Sequence, residues 1–130
     1  MSALTLYAGP AALDWIRNHG LRPEHVKVMV GASGGPKWFV LYGLDRYLAA
    51  SFLAARTEPL AMLGSSAGAW RMACMAQRDP CAAIERLAYH YSRQRYSDRP
   101  APAEVSNEAR KLLDLVLQEN GAAEIVNNPL

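Results

Sequence analysis

Hydrophobic positions along the chain alternate between short dense runs and longer helical repeats. Leu4–Thr5–Leu6–Tyr7 reads as a short opening strand. Gly9–Pro10 then starts a helix that places Leu13, Ile16 and Trp15 on one side and closes at Gly20. Val26–Lys27–Val28–Met29–Val30 is rich in β-branched residues and predicts a strand, ended by the loop Gly31–Ala32–Ser33–Gly34–Gly35. Pro36 suits a first helical turn, where its missing N–H is not needed. From about Lys37 to Ala55, Phe39, Val40, Leu44, Tyr47 and Leu48 recur at helical spacing.

A further apolar run, Pro59–Leu60–Ala61–Met62–Leu63, predicts another strand, again ended by small residues, Gly64–Ser65–Ser66–Ala67–Gly68. A helix through Gln77 follows. Asp79–Pro80 supplies an N-cap and first-turn proline for a helix to about Arg95. Residues 98–102 read as a loop, and a last helix from Val105 to Asn120 stops at Gly121 with Leu112, Leu113, Val116 and Leu117 together.

The alternation of strands and helices predicts an α/β fold whose parallel strands are joined by helical crossovers. Three short strands would leave both edges of a parallel sheet bare, whereas such sheets lie buried among further strands. The tail Ile125–Leu130 reads as the approach to another element. The expectation is the N-terminal portion of one larger domain, able to self-associate through its exposed sheet edge.

Composition narrows the function. With 130 residues, 51% hydrophobic and 20% charged, the chain is globular and of single-domain size. A net charge of +2 gives no electrostatic argument for nucleic acid, and no aromatic-basic interleaving appears either, so nucleic acid is not expected as a partner. Cys74 and Cys81 have neither disulfide-framework nor metal-ligand spacing and read as reduced, buried thiols. Residues 1–9 lack a basic stretch, and no run approaches the roughly 20 apolar residues of a spanning helix. A soluble, cytoplasmic protein is expected, with peripheral membrane contact left open.

The chemistry lies in the two small-residue turns. Gly64–Ser65–Ser66–Ala67–Gly68 fits G-x-S-x-G between strand and helix, where a serine forced through a sharp turn needs small residues two positions either side. Ser66 Oγ would project at the carboxyl end of the sheet, beside amides of a helix amino end. Gly31–Ala32–Ser33–Gly34–Gly35 fits the same pattern, so spacing alone leaves Ser33 open as a nucleophile. Its paired glycines are better suited to presenting bare amides to an anion. A phosphate-binding P-loop is excluded there, because Pro36 precedes and Trp38 follows Lys37.

Taken together, Ser33–Gly34–Gly35–Pro36–Lys37 and the elbow some 30 residues later resemble the oxyanion loop and nucleophile turn of the patatin-like phospholipases, in that family's order. The likeness covers about Val26 to Gln77. Ser33 stands at the first glycine of the family's G-G-G-x-[RK]-G, and Trp38 at its last. The resemblance implies a three-layer α/β sandwich with a mainly parallel sheet, incomplete in this chain, and hydrolysis of lipid acyl esters such as phospholipids. It implies Ser66 as nucleophile, Gly34 and Gly35 as oxyanion donors, Lys37, Gly64 and Gly68 as supporting residues, and no metal or organic cofactor.

The family's aspartate belongs to a D-G-[GA] motif. Here Asp14, Asp45, Asp79, Asp98 and Asp114 precede Trp15, Arg46, Pro80, Arg99 and Leu115, so the partner of Ser66 is expected outside these residues. Asp79 and His90 satisfy only the order of a Ser–Asp–His triad, and none of His19, His25 and His90 is assigned a catalytic role. Arg93, Arg95 and Arg99 with Tyr91 and Tyr96 read as a solvated helix end, with an anionic lipid surface as the functional alternative. The other class of function is a non-catalytic module that binds partners and keeps the elbow as a turn.

Overall fold

The computed structural model describes residues 5–128. Two strands, β1 (Val28–Gly31) and β2 (Ala61–Gly64), form a parallel sheet in the register Val28 to Ala61 and Gly31 to Gly64. Six α-helices surround or follow it: α1 (Pro10–His19), α2 (Tyr42–Tyr47), α3 (Ala67–Met75), α4 (Pro80–Tyr91), α5 (Pro102–Leu117) and α6 (Gly121–Val126). The fold is mixed helix and strand, with parallel pairing as expected. No helix among the described residues is long and apolar enough to cross a membrane.

The layers follow from which faces are apolar. α3 packs on the sheet through Met29 and Met62, α4 packs on α3, and α5 on α4. The core lies mainly between the helices, where Cys74, Ala83, Ile84, Leu87, Leu112 and Val116 are buried with Trp38. The opposite sheet face is bare: Val30 and Leu63, side by side in the register, are 69% and 62% exposed.

Several expected elements differ. Leu4 lies outside the described residues, and Thr5 to Tyr7 form no strand, so among the described residues the sheet has two strands rather than the three expected. Strand character depends on a neighbour that completes the hydrogen-bond ladder, a condition that apolar sequence alone does not supply. The single helix expected from Lys37 to Ala55 is three kinds of turn: a 3-10 helix over Gly35–Leu41, α2, then a π-helix over Leu48–Phe52. Each type rotates side chains by a different angle, so one stripe cannot persist. Trp38 turns into the core at 4% exposure, while Val40 is 83% exposed.

Asp79 caps α4 as its position suggests, accepting from Ala82 N–H at 2.9 Å. That helix stops at Tyr91 rather than Arg95, its last carbonyls met by Ser92 and Arg93, whose side chains both donate to Tyr89 O. α3 likewise ends before Gln77, which is buried and receives Arg86 at 2.8 Å. At the far end, Gln118 at φ 54° ends α5, and Gly121 begins α6 instead of stopping a helix. A Cβ at Gly121 would lie 3.1 Å from Gln77 Oε1, so glycine serves close packing there.

Candidate active site

The site is built where β2 turns into α3. Gly64 ends the strand, and Ser66 takes φ 51° and ψ −123° before α3 begins at Ala67. Positive φ is strained for a residue with a side chain and persists only where the surroundings enforce it. Those surroundings are backbone against backbone. A Cβ on Gly64 would come within 2.5 Å of the Ala69 backbone, and one on Gly68 would overlap the Gly31 carbonyl. Ser65 N–H also donates to Gly31 O at 3.1 Å, tying the turn to the end of β1. Ser66 itself is exposed.

Gly31, read from the sequence only as the start of the glycine loop, is thus a third required glycine: its Cβ would sit 2.8 Å from Gly68 O. The loop pattern does not reveal this demand, because the constraint arises from a helix far along the chain. A second residue is Ala67. Gly68 N–H bonds Ser65 O, and Ala69 and Trp70 N–H bond Ser66 O, which leaves the amide directly after Ser66 without an acceptor among the described residues. That amide stands directly beside Ser66 with its N–H open to an acceptor.

The glycine loop emerges beside the elbow, because Gly31 and Gly64 are partners in the sheet. Gly34 precedes the 3-10 helix with an extended φ of −176°, and Gly35 enters it at φ 51°. Lys37 N–H closes the turn on Gly34 O at 3.2 Å, while its side chain is exposed and outside the ion pairs among the described residues. Trp38, which follows Lys37, is buried in the core. It stacks on Phe39 at 4.6 Å and meets the Tyr91 ring edge-on at 6.1 Å. Ser33 is exposed and lies outside the strand-to-helix turn that strains Ser66.

The fold therefore brings Ser66, Gly34, Gly35, Gly64 and Gly68 to one end of the sheet. It does not bring a base. No side chain among the described residues hydrogen-bonds Ser66. Asp45 is held by Arg71, Asp79 caps α4, and Asp14 accepts from Asn18. His19 stacks on Trp15 at 4.0 Å, His25 bonds Arg22, and His90 contacts Tyr89. Cys74 is no competing nucleophile, since full burial pushes its thiol up to about 12. Cys81 is only half-buried, and both thiols are free. Among the described residues no group of three His, Cys, Asp or Glu side chains could hold a metal.

An apolar-walled cleft of about 660 Å³, lined by Leu53, Leu60, Met62 and Met75, lies at the opposite ends of β2 and α3 from Ser66. Arg56 on its wall donates to the Pro23, Glu58 and Pro59 carbonyls. The cleft is thus separate from the elbow. No protein-family model, curated protein or solved structure matches this chain. What the fold and site define is a mixed α/β unit with a strained strand–serine–helix turn beside a glycine-rich loop.

Proposed function

We propose that this chain is part of a patatin-like serine acyl hydrolase whose three-layer sandwich is completed by residues outside those described. Its substrates are acyl esters of lipids, such as phospholipids and lysophospholipids. The observation that supports this most is the backbone of Ser66, held at positive φ between two glycines that tolerate no Cβ. Gln118 shares a positive φ where α5 ends in the open, but among the described residues Ser66 alone combines it with flanking glycines closed by backbone.

In this scheme Ser66 Oγ attacks the acyl carbonyl while its proton passes to an aspartate outside residues 1–130. Gly34, Gly35 and Ala67 amides hold the oxyanion. The tetrahedral adduct collapses, the alcohol leaves with the proton, and water then cleaves the acyl-serine by the same route. A second reading, a partner-binding module without catalysis, draws on the lack of a base beside Ser66 among the described residues.

Intact mass after fluorophosphonate treatment of the full-length protein separates these readings. One adduct is expected, lost in Ser66→Ala and kept in Ser33→Ala. An adduct lost only in Ser33→Ala makes the first loop the elbow, and no adduct at all supports the partner-binding module.

A further inference from the structure

The end of α4 returns to the same pole of the molecule as Ser66. α3 leads away from the elbow, α4 packs along it, and Tyr91 closes α4 against Trp38 and Phe39, with ring centroids 6.1 and 5.8 Å apart. Those two residues lie in the helical segment entered through Gly34 and Gly35. The residues around and after Tyr91 therefore lie at that pole, where the chain turns from α4 to α5 and Gln94 donates to Glu108 O at 3.3 Å.

This stretch concentrates charge. Residues 89–99 contain three arginines, Arg93, Arg95 and Arg99, against one carboxylate, Asp98, which matches the formal +2 of the entire chain. None of the three arginines is in an ion pair among the described residues. Arg93 lies 3.7 Å above the Tyr89 ring and donates to Tyr89 O at 3.1 Å, while Arg95 donates only to Gln94 O. The nearby carboxylate of Glu104 is taken up by Ser97 N–H and Oγ–H, both at 2.7 Å, which pins the loop without neutralising it. Beside the arginines are the exposed rings of Tyr89 and Tyr96, and the adjoining segment carries exposed Lys37 and Val40.

A soluble anion would engage the guanidinium groups but leave these apolar surfaces in water. A bilayer interface satisfies both, since headgroup phosphates meet arginine and tyrosine rings lie at headgroup depth. We infer that this arginine–tyrosine patch docks the protein on an anionic lipid surface and so presents Ser66 to the lipid layer. The inference takes its purpose from the lipid-ester reading above, but its test does not depend on hydrolysis.

The test is co-sedimentation of the full-length protein with phosphatidylcholine vesicles, with and without about one-third phosphatidylglycerol. Strong binding is expected on the anionic vesicles alone, weakening as salt shortens the screening length. Each arginine near such a surface contributes about fivefold, so R93Q/R95Q/R99Q should bind about a hundredfold more weakly. Its circular dichroism should be unchanged, since all three positions are exposed. Equal binding to neutral vesicles, undiminished binding by the triple variant, or displacement by inorganic phosphate alone would each overturn the docking surface. Hydrolysis of a soluble short-chain ester, measured in parallel, should match in parent and triple variant. Vesicle binding that persists without any ester hydrolysis keeps the docking surface and removes the hydrolase reading.

Discussion

Asp45 and Arg71 form a two-point ion pair almost sealed from water. Arg71 Nε and Nη2 donate to the two carboxylate oxygens at 2.6 Å each, and Asp45 keeps 1% of its exposure. The hydrogen bonds that Arg71 donates to Asp45 hold the guanidinium pKa above its ordinary value. The pair joins α2, which continues out of the glycine loop, to α3, which continues out of the elbow. It thereby fixes one loop relative to the other.

Removing either partner leaves an uncompensated buried charge. Arg71→Ala or Asp45→Asn is expected to destabilise the fold by about 3–5 kcal/mol. Urea unfolding should show a lower midpoint at unchanged slope. A loss under about 1 kcal/mol would mean that water reaches the pair and screens it.

The glycines make contrasting predictions. Gly68→Ala forces a methyl into the Gly31 carbonyl, so it should lower the melting temperature and abolish fluorophosphonate labelling. Gly35→Val places a β-branched residue at positive φ, with strain of about 1–3 kcal/mol, and should harm labelling far more than Ser33→Ala. Gly34, at φ −176° and ψ 1°, lies outside the left-handed region and has its nearest Cβ contact 4.0 Å away at Lys37, so Gly34→Ala should destabilise far less than Gly68→Ala. Equal damage at Gly34 and Gly68 would contradict this account of the packing.

Residues 1–130 alone should turn over short-chain esters weakly. Oxyanion donors are worth about 10²–10³ in rate, and the remainder needs a base that Ser66 lacks among the described residues. Steady-state hydrolysis of a chromogenic ester by this chain measures it. Robust turnover that disappears in Ser66→Ala would locate a base inside these residues.

The bare sheet face should make the chain associate. Its accessible surface is 9009 Å², about a third more than the roughly 6,800 Å² of a compact 14.3 kDa monomer. Val28, Val30 and Leu63 supply apolar area on that face. Light scattering after size exclusion should report species larger than a monomer, and V30K/L63K should shift them toward one chain. A parent chain that stays monomeric at high concentration would refute this.

Glu104 should respond to acid in one direction. Ser97 N–H, then Ser97 Oγ–H, donate to its ionised carboxylate and hold its pKa below the ordinary 4.5. A lowered folded-state value means the clamp contributes fully above the ordinary carboxylate range. Its contribution fades as pH falls through the depressed folded value. Carboxyl-carbon NMR should show Glu104 titrating low in the parent and moving part of the way up in Ser97→Ala, where the backbone donor remains. Titration at 4.5 or above in the parent would show the clamp does not form.

Features governed by neighbouring residues could be read from the chain directly. Pro10 and Gly20 bound α1, Asp79 caps α4, and two β-branched or apolar runs become β1 and β2, because each depends on backbone chemistry within a few residues. The Ser66 turn was legible for the same reason: its small flanking residues are a local steric demand. Of the four residues grouped by helical spacing, Leu112 and Val116 are core, whereas Leu117 is half-buried and Leu113 is exposed at the edge of that stripe.

Other features depend on contacts made only after the chain has folded back. Trp38 is buried because Phe39 and Tyr91 enclose it, and that packing is reached through a 3-10 turn that periodicity over residues 37–55 does not reveal. Gly31 must be glycine because α3 brings Gly68 against it, and Asp45 is spent on Arg71 because α2 and α3 meet. Local backbone chemistry along the chain thus located the serine turn and the glycine loop. Their meeting came from folding, through the parallel pairing of Gly31 with Gly64, since pairing register is a relation between distant segments that no local pattern encodes.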